Sequence, residues 1–136
     1  MNSVLLQTRL KQKSLQKLSI NAFSIVEVNI AEVTMLEIRP NCECCDKNLS
    51  ADSVEAMICS YECTFCQHCV EDTLNNVCPN CGGGFTHRPI RPAIARRTGL
   101  SLKHQPASSK RVNTKFTLAE LTEFSEAIKE ITPENR

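Results

Sequence analysis

The chain has 136 residues with nine cysteines, no Trp, one Tyr and five Phe, which excludes an aromatic-rich core of ordinary domain size. The formal net charge of +1 conceals a partition: residues 35–83 carry eight acids against two bases, residues 84–115 eight bases and no acid, and residues 116–136 five acids against two bases. No run approaches the ~18 apolar residues of a membrane-spanning helix, and the basic amino terminus lacks the unbroken apolar stretch of a secretory signal, so neither a membrane partner nor export is expected.

Residues 1–34 differ from the rest. Leu5, Leu6, Leu10, Leu15 and Leu18 give a loose helical pattern among Arg9, Lys11, Lys13 and Lys17, and Val26, Val28 and Ile30 alternate in a β-prone stretch. Neither piece has a clear cap or turn. Codons for Glu32-Val33 can spell a ribosome-binding sequence just ahead of Met35, so residues 1–34 read as an extension that is disordered or not native. The other reading is a basic amphipathic helix that docks elsewhere.

Leu36 and Ile38 alternate ahead of the first cysteines and predict a short strand ending at Pro40. Asp46 to Asp52 is turn-rich, and Ala56-Met57-Ile58 reads as a strand delivering Cys59. Val70, Leu74 and Val77 fall at i, i+4 and i+7, one face of a helix. Gly82-Gly83-Gly84 offers the positive φ that a metal-knuckle exit demands. Pro89 and Pro92 impose extended backbone, and Pro92 can open a short helix through Arg97 that stops at Gly99. Residues 100–114 are polar, basic and predicted to be flexible. Thr117-x-x-Glu120 is a capping box, followed by an apolar stripe of Leu118, Leu121, Phe124, Ile128 and Ile131 that ends before Pro133.

The cysteines carry the chemistry. Eight of them form pairs separated by two or three residues: Cys42/Cys45, Cys59/Cys63, Cys66/Cys69 and Cys78/Cys81. A pair so spaced can converge on one tetrahedral zinc about 2.3 Å from each sulfur. Eight ligands make two closed sites, hence two Zn²⁺, each site contributing a charge of about −2. Disulfides fit less well, because the count is odd and Cys44 adjoins Cys45. A reducing cytoplasm is the expected location. A cysteine-rich stretch of about 40 residues is below the size at which an apolar core alone suffices, so the metal would be the core. Cys44 reads as a small buried residue rather than a spare ligand or a redox-sensing thiol. His68 points away from the metal of its neighbours, His87 finds every site filled, and His104 carries no signal.

The ligands can be distributed sequentially, as Cys42, Cys45, Cys59 and Cys63 followed by Cys66, Cys69, Cys78 and Cys81. They can also interleave, with Cys42, Cys45, Cys66 and Cys69 on one zinc and Cys59, Cys63, Cys78 and Cys81 on the other. The order resembles a RING finger, whose ligand pairs cross-brace in the interleaved way, and Cys78-Pro79-Asn80-Cys81 matches the Cys-Pro-x-Cys that often closes that motif. Both schemes satisfy the local spacing; interleaving is favoured. The fourth ligand is Cys63 where a RING usually has His. Ligase activity does not carry over residue by residue. Asp46 stands where an apolar residue is wanted, the loop between the sixth and seventh ligands has no Trp, and Gly82 replaces the basic residue after the eighth ligand.

A closer resemblance covers Met35 to about Pro92. The run from Met35 to Lys47, then Ile58-Cys59-Ser60-Tyr61-Glu62-Cys63-Thr64-Phe65-Cys66, then Val77-Cys78-Pro79-Asn80-Cys81-Gly82-Gly83-Gly84 is similar to a family of short cysteine-rich bacterial proteins known as domain of unknown function 1272. Members typically begin where Met35 stands. The resemblance implies zinc binding and a bacterial cytoplasm, not a biochemical role. The expected fold is a small metal-stabilised α+β domain: a RING-like, treble-clef-type double-zinc module at 35–92 with short strands and one helix. A basic flexible arm at 93–116 and an amphipathic helix at 117–131 complete it.

Catalysis has little support. Four cysteines close a zinc site that catalysis needs open, no nucleophile–base pair remains once the thiols are assigned, and Glu71 and Asp72 face apart on a helix. The leading expectation is an adaptor that binds a protein partner, with self-association through 117–131. The alternatives are weak nucleic-acid binding by the arm from Arg88 to Lys115, which lacks interleaved aromatics, and a zinc–thiolate redox switch.

Overall fold

The short apolar runs flanking the cysteines fold as antiparallel strands. Ala56-Met57-Ile58 forms β1 (Ala56–Ile58) and the segment after Cys63 forms β2 (Thr64–Cys66). They pair in the register Ala56↔Cys66, Met57↔Phe65, Ile58↔Thr64. β3 (Thr86–His87) adds to the other edge of β1, giving the order β2-β1-β3. The computed structural model describes residues 35–136, so the expectations for residues 1–34 lie outside the described residues.

The segment Leu36–Pro40, expected as a strand, stays outside the sheet. The free edge of β2 is already taken by the turn between Cys42 and Cys45, where Glu43 N–H donates to the Thr64 carbonyl at 3.0 Å. Ile38 is nonetheless buried, and its carbonyl accepts from Ser108 N–H at 2.9 Å.

β2 runs directly into α1 (Gln67–Asp72), with Cys66 as its N-cap. The apolar face expected over Val70, Leu74 and Val77 is buried as a set, but the helix ends at Asp72. Asn75 and Asn76 take φ of 48° and 58°, a left-handed turn that Asn tolerates better than most residues. The Asn76 side-chain carbonyl then accepts from Phe85 N–H at 2.9 Å. Phe85 meets Phe65 edge-on, with centroids 5.3 Å apart and planes at 72°, an arrangement that contributes about 0.5–1.5 kcal/mol beyond burial. Leu49, Ala56, Val70, Leu74 and the buried cysteines close around this pair. The result is a small α+β fold: a three-stranded sheet, a short helix and a thin core shared between two phenylalanines and the thiols.

The basic segment lies along the acidic one. Arg88 is 3% exposed and donates to the carbonyls of Arg39 and Ser50, each at 2.8 Å. No helix forms from Pro92 to Arg97; the Pro92 carbonyl accepts from Leu102 N–H at 2.8 Å, and Gly99 turns the chain at φ 79°. Arg111 donates to the Asp46 carboxylate at 2.8 Å, and Val112 and Asn41 exchange hydrogen bonds of 2.9 and 3.2 Å.

The capping box forms as read, with Thr117 Oγ1 accepting from Glu120 N–H at 3.2 Å and Glu120 accepting from Thr117 N–H at 2.7 Å. It opens α2 (Leu118–Ile128). Leu121 and Ser125 carry the docked face. The Ser125 hydroxyl donates to the Leu74 carbonyl at 3.0 Å and accepts from the Asn75 amide at 2.8 Å. Phe124 and Ile128 reach over the backbone of Gly82. Leu118 and Ile131 stay exposed, so the stripe is only partly used.

Candidate metal centres

The two centres are built at opposite ends of β2. At the β2–α1 junction, Cys66 ends the strand and Cys69 follows in the first turn of α1. Cys42 and Cys45 come from a tight turn whose closing bonds are Asp46 N–H to the Cys42 carbonyl and Cys42 N–H to the Lys47 carbonyl, both 2.9 Å. Asp46 takes φ 61° to leave that turn. The sulfurs of Cys42, Cys45, Cys66 and Cys69 all lie within 4.8 Å of one another. The Cys45 and Cys66 sulfurs are 3.8 Å apart, close to the ~3.8 Å edge of a tetrahedron with 2.3 Å metal–sulfur bonds. This is the interleaved grouping; the sequential one would have joined Cys42 and Cys45 to Cys59 and Cys63.

At the other end of β2, Cys59 and Cys63 flank the β1–β2 hairpin, where Glu62 turns with φ 65° and Cys59 N–H donates to the Cys63 carbonyl at 3.3 Å. Cys78 and Cys81 form the second tight turn. Gly82 N–H donates to the Cys78 carbonyl at 2.7 Å, and Gly82 exits at φ 78°. Of the three consecutive glycines only Gly82 takes positive φ; at Gly84 a Cβ would meet Pro133 at 2.9 Å. The sulfurs of Cys59, Cys78 and Cys81 lie within 4.8 Å of one another. Cys63 stands outside that close group, within hydrogen-bonding reach of the Cys59 and Cys78 thiols. Backbone N–H groups point at sulfur in this centre, among them Tyr61 to Cys59 at 3.3 Å and Gly83 to Cys81 at 3.4 Å. Such donors favour the thiolate that a metal requires.

Protonation is divided unevenly among the thiols. Hydrogen bonds from Cys59 and Cys78 pull the Cys63 thiol down to about 2. Donation to Cys63 pushes Cys59 up to about 11, and hydrogen bonds with Cys59 and then Cys63 raise Cys78. In the first centre, burial pushes Cys42 up to about 11 and also raises Cys69. Burial raises Cys44 too; its thiol hydrogen-bonds to Cys69 and packs on the core rather than joining the four-sulfur group. All nine cysteines are free thiols. The donor set is all sulfur, four in the close group of the first centre and three in that of the second, which fits a soft or borderline divalent metal.

Sequence reading missed Glu43. It is 4% exposed, and its carboxylate accepts from Thr64 N–H at 2.9 Å, Arg39 Nη1 at 3.2 Å and Asn80 Nδ2 at 3.2 Å. An acid inside a cysteine pair reads as solvated surface unless the far partners are known. The histidines lie outside both sulfur groups: His68 pairs with Asp72 at 2.7 Å on the surface, His87 is exposed on β3, and His104 Nδ1 lies 2.9 Å from the Ser101 hydroxyl.

The family model described as protein of unknown function (DUF1272) matches residues 35–91. An uncharacterised protein of Rhizobium meliloti (strain 1021) is 55% identical over 78 residues, which span 57% of this chain and 86% of that relative. The chain belongs to this family. The DUF1272 match contains every cysteine, the whole sheet and α1, whereas α2 lies beyond it. No solved structure matches the chain. Among the described residues no helix is long and apolar enough to cross a membrane.

Proposed function

We propose that this DUF1272 chain binds two structural Zn²⁺ ions and serves as a protein-interaction adaptor in a reducing cytoplasm, without catalytic activity of its own. All-thiol sites, free cysteines and a thin apolar core support zinc as the fold's main source of stability, on the order of 10–16 kcal/mol per structural site. The four sulfurs of the first centre leave no coordination position for water or substrate, and Cys63 would complete the same closure at the second.

The observation that carries the adaptor reading is an apolar cleft of about 470 Å³ between the Cys78–Cys81 turn and α2. Pro79, Phe116, Leu121, Phe124 and Ala127 line it, with Glu120 and Glu123 at its rim. Phe116 and Phe124 are 45% and 38% exposed there. Exposed aromatics beside a rigid turn are typical anchors for a protein partner or a second copy. The test compares the zinc-loaded chain with Phe124→Asp. The variant should keep two zinc ions by native mass spectrometry yet lose its crosslinked partners and any concentration-dependent sedimentation. If Phe124→Asp retains every crosslinked partner, the cleft is not the docking site.

A nucleic-acid reading draws on Arg96, Arg97, Lys103, Lys110 and Lys115, which are exposed along the basic segment. Arg88 and Arg111 are already engaged with the acidic module, which reduces the charge left for phosphates.

A further inference from the structure

Glu43 lies inside the first metal-binding turn, between Cys42 and Cys45, yet its side chain reaches past Arg39 to residues beside the ligands of the second. Its Oε2 accepts from Thr64 N–H at 2.9 Å, and its own N–H donates back to the Thr64 carbonyl at 3.0 Å. Thr64 follows Cys63 directly. Its Oε1 accepts from Asn80 Nδ2 at 3.2 Å, and Asn80 lies inside the Cys78–Cys81 turn. One buried carboxylate therefore clamps the turn of the first centre to two of the ligand segments of the second. Arg39 Nη1, 3.2 Å away, offsets its charge.

A carboxylate at this position is otherwise hard to explain. It is nearly fully buried in a neighbourhood that would carry about −4 from two four-thiolate zinc sites. Such an acid is retained where its hydrogen bonds fix something that an apolar residue cannot. The two centres are also unequally formed. The first has four sulfurs in one close group, while the second has three, with Cys63 outside it. Cys63 adjoins Thr64, the residue that Glu43 grips.

We propose that Glu43 is a positioning residue that couples the two centres: metal in the first fixes the Cys42–Cys45 turn, and Glu43 passes that order to Cys63 and to the Cys78–Cys81 turn. The cost of ordering the second centre is then met when the first fills, which makes loading cooperative, and reciprocity requires the second metal to tighten the first. The inference rests on the zinc reading above and adds a coupling that two independent sites would lack.

The test follows metal loading of the full chain by native mass spectrometry during Zn²⁺ titration, with Co²⁺ absorption and chelator competition as second readouts. In the native chain, one-metal species should stay well below the statistical half at half-saturation. In Glu43→Ala one-metal species should accumulate, with the second centre weakened ~10–100-fold, as for the loss of other outer-shell partners. Asn80→Ala breaks the same link from an exposed side chain and should show the same signature more weakly, which keeps the test decisive if Glu43→Ala folds poorly. Statistical loading of the native chain, or unchanged loading in Asn80→Ala, would overturn the coupling while leaving two-zinc binding intact. A native chain that takes up fewer than two metals would remove both the coupling and the reading beneath it.

Discussion

At the scale of single residues, the thiols are not equivalent. Hydrogen bonds with Cys59 and Cys78 hold the Cys63 thiol low, whereas Cys44 is a half-buried thiol packed beside the first centre. Cys44→Ser should therefore keep both metals, with a stability change of about 1 kcal/mol or less, since one small half-buried group is replaced by another of similar size. Cys63→Ser should leave one metal per chain under mild chelation, with a loss at the second centre exceeding the ~10–100-fold typical of outer-shell changes. Metal counting by native mass spectrometry on the two variants checks both. Retention of two tight metals in Cys63→Ser would show that three thiols and another group suffice.

At the scale of elements, α2 depends on a cap and a narrow docked face. Removing the hydroxyl in Thr117→Ala should cost about 1 kcal/mol of local helix stability. Leu121 is 3% exposed against the module, so Leu121→Ala should cost about 2–5 kcal/mol of docking. Amide exchange across residues 118–128 would report both losses, and the metals should stay bound, because no α2 side chain belongs to either sulfur group. Loss of metal in Leu121→Ala would instead mean that α2 holds the second centre closed through Gly82 and Asn75.

At the scale of the whole molecule, the zinc reading makes fold and metal one equilibrium. Burial pushes Cys42 to about 11, and donation to Cys63 pushes Cys59 to about 11. Both are protonated at neutral pH and must lose a proton to bind metal. Affinity should thus rise with pH and fall in acid, by about one log unit per pH unit for each proton displaced. Chelator competition at pH 6 and pH 8 checks the sign, and circular dichroism should show the strands and α1 lost together with the metal. The basic segment supplies the other molecular-scale expectation. With the acidic module beside it and Arg88 and Arg111 engaged, duplex DNA should bind weakly, at roughly 10⁻⁴–10⁻⁵ M near physiological salt, with a steep salt dependence. Sub-micromolar binding in a fluorescence-anisotropy titration would put nucleic acid ahead of a protein partner.

The sequence by itself determined what is local. Cysteine pairs two or three residues apart, the Thr117–Glu120 capping box, the Ala56–Ile58 strand and the buried set of Val70, Leu74 and Val77 all depend on neighbours within one or two turns. Which pairs share a centre was not local. Both groupings satisfy the same spacings, and only the folded chain brings the Cys45 and Cys66 sulfurs, 21 residues apart, to 3.8 Å. The same long-range competition kept Leu36–Pro40 out of the sheet, where Glu43 already occupied the edge of β2. It also diverted the Pro92 carbonyl to Leu102 in place of a helix and buried Arg88 beneath two carbonyls from distant loops. Hydrogen bonds that fix a centre's partners join segments far apart in the chain, so tertiary structure decided them and pair spacing alone left them open.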